Sequence, residues 1–336
     1  MLRAARRFTF SYTHCLIMNV MEEVAIVIIG FNRPDFVQLR LKEIQGDVLK
    51  TFPLYVAVDG PRINVIDDKK AHESIVKAVN KCQAKNLQII KRKVNLGCDL
   101  HIPTTIDEIL MKHKFIIVIE DDVSVNADVI LNLANKIIES SQSGLLNPVI
   151  GISCLTRNWI SRQNAWRKTT YFSAWGFALS REFWSLHKSF QEMNLKRDVE
   201  KQLEHSRYWA NISSRKKRIW LERFKRGNYD YQIQKTIFAR NIEVFAPAYR
   251  IISNEGHADS RAMHTKHKKP FYLRSKVADA NFQFNNFNVL QKESAMKFFT
   301  FVDSNTWAGD GLLSIRGRLF GIRTLVRFLL SRLHLS

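Results

Sequence analysis

Residues 115–125 read FIIVIEDDVSV, and this stretch decides the fold. Its first five residues are all apolar, which is typical of a strand buried on both faces of a parallel sheet covered by helices. The run then meets three consecutive carboxylates, Glu120, Asp121 and Asp122. Because ligands bind at the carboxyl ends of strands in such sheets, the triplet stands where a site is expected.

Three adjacent carboxylates repel one another, and each raises the pKa of the others. A positive group is therefore expected among them. A hard divalent cation that carries a phosphate would suit their oxygen atoms. The alternative is that the triplet opens a helix, since the helix dipole favours acidic residues in the first turn.

Alternating strands and helices are predicted before this run. Apolar runs bounded by turn residues indicate strands, and apolar residues at helical spacing indicate helices. This order predicts an α/β fold with an open, mostly parallel sheet flanked by helices. The predicted strands are 24–30, 54–58, 87–90 and 115–119, and the predicted helices between them are 35–44, 67–81 and 102–111.

Polar residues follow the predicted strands. Asn32 and Arg33 come after the first strand, and Asp59 comes after the second. Together with the triplet they would line one sheet edge, as a nucleotide site requires. Neither GxGxxG nor GxxxxGK[ST] follows these strands, which argues against a dinucleotide fingerprint and a Walker A loop.

Composition indicates a globular protein with a polyanionic partner. The 336 residues carry a net charge of +21, with 46% hydrophobic residues. Such an excess suits nucleic acid, an anionic membrane or phosphorylated substrates. The four cysteines have no zinc-ligand spacing, so reduced thiols and a cytosolic location are predicted.

Two basic segments need an explanation. In residues 207–226, Lys and Arg interleave with aromatic residues, as in nucleic-acid binders and in helices on anionic membranes. Residues 312–335 predict a basic amphipathic C-terminal helix that is too charged to span a bilayer. A solvated face for the first segment and docking on its own domain for the second are the alternatives.

Six stretches of the chain, taken in order, resemble the GT-A glycosyltransferases. They are most similar to bacterial enzymes related to the N-acetylglucosaminyltransferase I family and to family 2. The resemblance implies a Rossmann-like fold and sugar transfer from a nucleotide-sugar. It is carried by VAIVIIGFNRP, VAVDGP, NLGCDLHIPTTIDEIL, FIIVIEDDVSVN, YFSAWGFALSREFW and the segment from NYDYQ to SRAMHT.

The resemblance implies that the acidic triplet is a DXD-type motif, which holds Mn²⁺ or Mg²⁺ against the donor diphosphate. Its last acid, Asp122, matches the metal ligand. Glu120 and Asp121 match residues that contact the sugar or the ribose.

The other strand ends also match residues of the donor site. Asn32 and Arg33 match residues near the nucleotide. Asp59 matches an acid that accepts a hydrogen bond from the uracil edge, whose N–H suits a carboxylate. A UDP-sugar donor is therefore implied.

An inverting transfer also needs a general base that deprotonates the acceptor hydroxyl. The resemblance places this acid near a helix start, and Asp230 in NYDYQ matches it, although Tyr229 stands where related sequences often have Trp. The alternative for Asp230 is a helix cap or first-turn acid. Asp198 and Glu222 are weaker candidates, because their charged surroundings are typical of solvated surface.

Two further motifs match residues around the sugar. Trp175 and Gly176 match a loop beside the sugar or acceptor, with core packing as the alternative for Trp175. His264 matches a histidine near the metal or diphosphate, with His257 as the second candidate. A plain surface histidine is the alternative for His264.

The domain prediction follows the resemblance. Residues 1–23 form a basic extension, residues 24–270 the catalytic domain, and residues 271–336 a C-terminal extension. Within the catalytic domain, residues 24–126 bind the nucleotide-sugar and residues 127–270 bind the acceptor.

The indicated function is a metal-dependent, inverting glycosyltransferase of bacterial surface polysaccharide synthesis. It would act on a glycan or lipid-linked acceptor at the inner face of the membrane, held there by the basic segment and the C-terminal helix. A nucleotidyltransferase is disfavoured because FNRPDF is not a Gly-rich phosphate loop. The remaining alternative is a non-catalytic protein on this scaffold that binds a membrane or, less favoured, nucleic acid.

Overall fold

The apolar run that ends in the triplet forms a central strand, β4 (Phe115–Glu120), in a computed structural model of the chain. It pairs in parallel with β1 (Val24–Gly30) and antiparallel with β8 (Phe177–Ser180), so it is covered on both edges. All its residues except the last are buried. The structure describes residues 23–44, 51–82, 86–142, 144, 149–151, 166–247, 252–256 and 259–261.

The other strands of the described residues complete a large sheet and a small one. They are β2 (Leu54–Val58), β3 (Leu87–Lys91), β5 (Val123–Ser124), β6 (Val149–Gly151), β7 (Trp166–Thr169), β9 (Val244–Pro247) and β10 (Ser253–Asn254). The large sheet has the order β3-β2-β1-β4-β8-β6-β9-β7. Its first four strands are parallel, as are β6 and β9, whereas β8 and β7 run antiparallel to their neighbours.

Helices flank this sheet, and the predicted α/β class is confirmed. Pro34 opens the first helix, where its fixed φ suits the first turn. The third helix begins at Cys98, earlier than predicted, directly after Gly97 with φ +73°. The described helices are α1 (Pro34–Glu43), α2 (Ile66–Lys81), α3 (Cys98–Leu110), α4 (Ala127–Gln142), α5 (Arg181–Met193), α6 (Val199–Gln202), α7 (Arg207–Asn211), α8 (Ser214–Lys225) and α9 (Tyr229–Ala239).

The parallel strands end level with one another. Gly30 at the end of β1 is in register with Val58 at the end of β2, and Ile29 is in register with Glu120 at the end of β4. The residues that follow these strands therefore lie along one edge of the sheet, as predicted for a ligand site.

Strand β8 was not among the predicted strands. Its four residues, FALS, are all buried between β4 and β6. They follow Gly176, whose φ of +84° interrupts the chain direction. A four-residue strand beside a glycine turn is too short to show a clear hydrophobic period, so the sequence pattern did not indicate it.

The aromatic residues of the basic segment pack inside the protein. Trp209, Trp220 and Phe224 are buried, and Tyr208 stacks on Phe238 with ring centroids 4.1 Å apart. Core packing therefore explains these rings, and the prediction that they serve membrane or nucleic-acid contact is corrected. The exposed basic side chains of α8 and the following turn are Arg215, Arg218, Lys225 and Arg226.

Several predictions about organisation extend beyond the described residues. All described residues belong to one compact unit. The domain boundaries at 23, 126 and 270 stay predictions, and the amphipathic segment at 312–335 lies outside the described residues. In the described ranges, no helix combines the length and apolar character needed to cross a bilayer.

A buried histidine makes stability depend on pH. His187 on α5 contacts Thr236 on α9, with Nδ1 and Oγ1 2.8 Å apart. Burial and the nearby Lys235 charge lower the pKa of His187 from 6.5 to about 4, although Asp107 opposes the shift. The unfolded chain therefore binds this proton between pH 6.5 and 4, whereas the folded chain does not.

We predict that His187→Gln removes this pH-dependent contribution. In the parent protein, the contribution is complete above pH 6.5 and is lost as the pH falls toward 4. Urea unfolding at pH 7 and pH 4.5 should show about 2 kcal/mol less acid destabilisation in the variant. His205→Gln is the control, because its side chain is 91% exposed, and it should behave as the parent. Equal acid sensitivity of parent and His187→Gln would contradict the prediction.

Candidate functional site

Arg33 pairs with two acids of the triplet. This residue precedes α1, and its guanidinium donates to both oxygens of Asp121, with Nε 3.2 Å from Oδ2. Its Nη1 also donates to Oδ2 of Asp122 at 3.0 Å. Phe36 lies under the guanidinium, 5.3 Å from ring centroid to Cζ. The positive group expected among the carboxylates is thus supplied, within the protein, by a residue predicted to contact the nucleotide.

The first two acids of the triplet stay hard to ionise. Burial raises the pKa of Asp121 to about 6, and the charge of Asp122 adds to this while Arg33 opposes it. Burial and Asp122 raise the pKa of Glu120 to about 8, against the hydrogen bond from Tyr229. The edge of the sheet therefore carries less negative charge than three free carboxylates would.

Asp122 keeps one carboxylate oxygen without a partner. Its Oδ1 is buried and accepts no hydrogen bond from the described residues. Leaving such an oxygen unpaired in the interior is costly unless a donor or cation approaches it. A hard divalent cation fits this oxygen. Among the described residues, however, no three His, Cys, Asp or Glu side chains are arranged to hold a metal by themselves.

A glycine lies against Asp122. Glu255 donates its backbone N–H to the carbonyl of Asp122 at 2.7 Å, next to the pairing of β10 with β5. A Cβ on the following residue, Gly256, would stand 2.2 Å from Oδ2 of Asp122 and 3.1 Å from Nη1 of Arg33. Only glycine therefore allows this segment to cover the triplet.

A second arginine, Arg40 on α1, forms an ion pair with Glu255 in the segment at residues 252–256. Its side chain is completely buried, and Nη2 contacts Glu255 at 2.7 Å and Glu43 at 3.1 Å. Glu43 in turn accepts from the Ser124 hydroxyl at 2.8 Å and from the Val125 N–H at 3.1 Å. This Arg40 network joins α1, the chain after the triplet and the segment at residues 252–256.

Asp59 holds a loop together. Its Oδ1 accepts from the backbone N–H groups of Gly60 and Leu96, at 2.8 and 2.9 Å. Its Oδ2 accepts from the Asn95 side chain and the Gly97 N–H, both at 2.9 Å. Four donors use the acceptor capacity of the carboxylate, and they fix the loop that starts α3. The contact of Asp59 with a nucleotide base stays a prediction. For that contact to form, one of these four hydrogen bonds would have to break.

Asn32 belongs to a neighbouring polar group. Its Nδ2 donates to Asp68 at 3.4 Å, and Asp68 also pairs with Arg62 at 2.5 Å. These contacts lower the pKa of Asp68, chiefly through the hydrogen bond from Arg62. Asn32 thus lies beside Arg33 at the sheet edge where β1, β2 and β4 end, which we call the ligand edge. Its contact with a nucleotide stays a prediction.

The start of α9 reaches the triplet through Tyr229. The Tyr229 hydroxyl donates to Oε1 of Glu120 at 3.0 Å, and Asp230 is the next residue. Burial and three carboxylates, Asp99, Glu120 and Asp230, raise the pKa of the Cys98 thiol to about 11. Asp230 is thus adjacent in the chain to a residue that contacts the triplet, and its charge acts on the same thiol as that of Glu120.

The surroundings of Asp230 shift its pKa in opposite directions, and the net shift is upward. Burial raises the pKa of Asp230, and the Asp99 charge adds to this, whereas the Tyr231 N–H and Arg223 oppose it. The Tyr231 N–H lies 2.9 Å from Oδ1. A raised carboxyl pKa brings a base nearer to neutral pH, where it accepts protons more strongly.

The loop with Trp175 is tied to α9. Gln234 accepts from the Phe172 N–H and donates to the Thr170 carbonyl, both at 2.7 Å. Trp175 is half-buried and packs against the core, while Gly176 takes the left-handed conformation with φ +84°. Packing thus accounts for part of the Trp175 side chain, and its contact with a sugar stays a prediction.

The remaining predicted residues have different outcomes. His264 and the second candidate His257 lie outside the described residues. Asp198 caps α6 by accepting from the Glu200 and Lys201 N–H groups, which fits a structural role. Arg40 was missed, although it stands at the core-facing position of α1 between buried residues, where an arginine is unusual.

Comparison with known proteins finds only partial likenesses. No protein-family model matches the sequence, and none of the curated proteins matches it. A mannosyltransferase from Pyrobaculum calidifontis, PcManGT, in complex with GDP-Man and Mn²⁺, is 11% identical, with a TM-score of 0.34. The alignment covers 51% of this chain and 46% of that one, so this chain spans about half of the mannosyltransferase.

Two further solved structures are similar to a comparable degree. A cytidylyltransferase from Leptospira borgpetersenii is 10% identical over 55% of this chain and 73% of its own, with a TM-score of 0.33. TarS from S. aureus is 12% identical over 67% of this chain and 57% of its own, with a TM-score of 0.35. Scores this low carry no weight for activity, so the function must be argued from the site.

We predict that the Arg40 network holds the ligand edge in place. Arg40→Met leaves Glu255 and Glu43 without their buried cation, and it should lower the free energy of unfolding by about 3 kcal/mol. Lys70→Met is the control, since the Lys70 side chain is 73% exposed and should cost little. Urea unfolding measures both, and a loss below about 1 kcal/mol for Arg40→Met would show that the network is dispensable.

Proposed function

We propose that the protein is a metal-dependent, inverting glycosyltransferase of GT-A type. It transfers a sugar from a UDP-sugar to a glycan or lipid-linked acceptor. The observation that carries the proposal is the acidic triplet at the end of β4, in which a buried Asp122 oxygen has no partner among the described residues. Asp230 follows Tyr229, whose hydroxyl donates to Glu120 of the triplet.

Asp122 would hold Mn²⁺ or Mg²⁺ through Oδ1, while its Oδ2 stays with Arg33. When bound, the cation supplies charge that stabilises the leaving nucleoside diphosphate. The guanidinium of Arg33 contacts the same Asp122 carboxylate, so it repels a cation that binds without the donor. An anionic diphosphate cancels that repulsion, so we expect cation and donor to bind together.

The two other acids of the triplet orient the donor. Glu120 is held by the Tyr229 hydroxyl, and Asp121 is held by two guanidinium nitrogens of Arg33. Both are thereby fixed in direction, which is what contacts with sugar or ribose hydroxyls require. If His264 joins the cation, as the resemblance implies, it would complete the set from outside the described residues.

Asp230 would act as the general base. A carboxylate with a raised pKa takes the proton of the acceptor hydroxyl as that oxygen attacks the sugar carbon. Trp175, at the loop held by Gln234, would offer its ring to the sugar or the acceptor. The base therefore comes from the C-terminal half and the cation ligand from the N-terminal half.

The proposed setting is the inner face of a bacterial membrane, in surface polysaccharide synthesis. Support comes from the net charge of +21 and from the exposed basic residues of α8. Such surfaces bind anionic lipid through screened electrostatic attraction. The aromatic residues of this segment give no support, because they are buried.

We predict that Asp122→Asn abolishes metal-dependent donor turnover. The amide keeps the shape and can still accept from Arg33, but it removes the charge that a cation needs. Hydrolysis of UDP-, GDP- and CMP-sugars with and without Mn²⁺ should identify the donor in the parent, with a fall of about 100-fold or more in the variant. Asp128→Asn, an exposed change on α4, should keep parental rates. Equal turnover by parent and Asp122→Asn would overturn the proposed function.

Asp230→Asn should separate catalysis from binding. Loss of a general base lowers kcat by about 100-fold to 10,000-fold, while the affinity for the nucleotide stays nearly unchanged, because the base acts in the transition state. Single-turnover kinetics and nucleotide titration measure the two effects. Asp198→Asn is the matched control for a helix-start acid. A loss of nucleotide affinity in Asp230→Asn would instead place Asp230 in the donor site.

A further inference from the structure

We propose that Asp99 is a positioning residue that sets the start of α9, and with it Tyr229 and Asp230, against the donor half of the site. This inference rests on the proposed function for its catalytic consequence. The contact itself does not depend on that function, since it is a feature of the folded chain.

Asp99 caps α9 from another helix. It lies in the first turn of α3, and its Oδ1 accepts from the Tyr229 N–H at 2.9 Å. Its Oδ2 accepts from the side chain of Asn228 at 3.2 Å. Helix starts leave N–H groups without partners, and a carboxylate there satisfies them and complements the dipole.

The α9 start has no cap of its own. Asn228 stands at the N-cap position, but its side chain makes no capping hydrogen bond to the helix. Asparagine is among the residues that usually perform this task. Here its amide points to Asp99 instead, so the polar groups that fix the α9 start belong partly to α3.

The position of Asp99 links it to Asp59. Asp59 accepts from the Gly97 N–H, two residues before Asp99, and so fixes the start of α3. A chain of contacts therefore runs from the end of β2 through α3 to α9, and through Tyr229 back to Glu120 at the end of β4. The candidate base is thereby located relative to the donor edge.

The charge of Asp99 has a second effect. Burial is the largest cause that raises the pKa of Asp230. Two charged groups also act on it: Asp99 from α3 raises this pKa, and Arg223 from α8 lowers it. The Tyr231 N–H also lowers it. Position and proton affinity of the candidate base thus both involve Asp99.

Two variants separate these effects in the full-length chain. Asp99→Asn keeps an oxygen for the Tyr229 N–H and removes the charge, whereas Asp99→Ala removes both. Hydrogen exchange of the Tyr229 amide, read by NMR without donor, should accelerate roughly tenfold in Asp99→Ala and little in Asp99→Asn. Asp67→Ala, an acid in the first turn of α2 with a 94% exposed side chain, is the control and should leave this amide unchanged.

Kinetics then test the catalytic consequence. In Asp99→Ala, kcat should fall about 100-fold, as for a misplaced reacting group, with the donor KM nearly unchanged. In Asp99→Asn, the acid limb of the kcat–pH profile should move to lower pH, because Asp230 loses a neighbour that raises its pKa.

The outcomes distinguish the two proposals. Unchanged Tyr229 exchange in Asp99→Ala would overturn the positioning role, and so would a higher KM with an unchanged kcat. Faster exchange in a protein whose parent transfers no sugar would support the contact and overturn the proposed function instead. Faster exchange together with the kcat loss and the pH shift would support both.

Discussion

The repulsion among three carboxylates at the end of β4 is the constraint on which the rest of the site depends. The strand is buried, so solvent cannot screen the charges, and burial together with the charge of Asp122 raises the pKa of Glu120 and of Asp121. Two arginines at the two ends of α1 compensate. Arg33 contacts Asp121 and Asp122 directly, and Arg40 lies buried behind them, where its charge lowers the pKa of Asp121. The helix that follows β1 is therefore as much a part of the acidic site as the strand that ends in it.

This arrangement places both signs of charge side by side at the end of β4. Arg33 pairs with Asp121 and Asp122, and one buried oxygen of Asp122 has no partner among the described residues. A cation is attracted by that oxygen but repelled by the guanidinium. An anion is attracted by the guanidinium but repelled by the carboxylates. A ligand that brings both charges at once would satisfy both kinds of group, which is the electrostatic reason for proposing a metal–diphosphate pair at this edge.

The sequence predicted those parts of the structure that local patterns control. Continuous apolar runs located β1, β2, β3 and β4, and the polar residues after them were placed on one edge because parallel strands end there. Contacts between distant residues could not be predicted in this way. Arg40 stands at a core-facing position of α1, but its partner Glu255 lies 215 residues further along the chain, so the sequence pattern could not identify the contact. The rings between residues 208 and 224 looked like a binding surface because interleaved aromatic and basic residues occur equally in amphipathic helices that pack on a core.

The two halves of the site are joined at the triplet from opposite directions. On one side, Arg33 and the Arg40 network hold Asp121, Asp122 and the segment at Glu255 through α1. On the other side, the Tyr229 hydroxyl on α9 donates to Glu120, and the Tyr229 N–H donates to Asp99. Arg33 thus fixes Asp121 and Asp122 from the start of α1, and Tyr229 fixes Glu120 from α9, although the three acids are adjacent in sequence. Such a division orients neighbouring carboxylates differently, because the hydrogen-bond partner of each side chain, rather than its position in the chain, sets its direction.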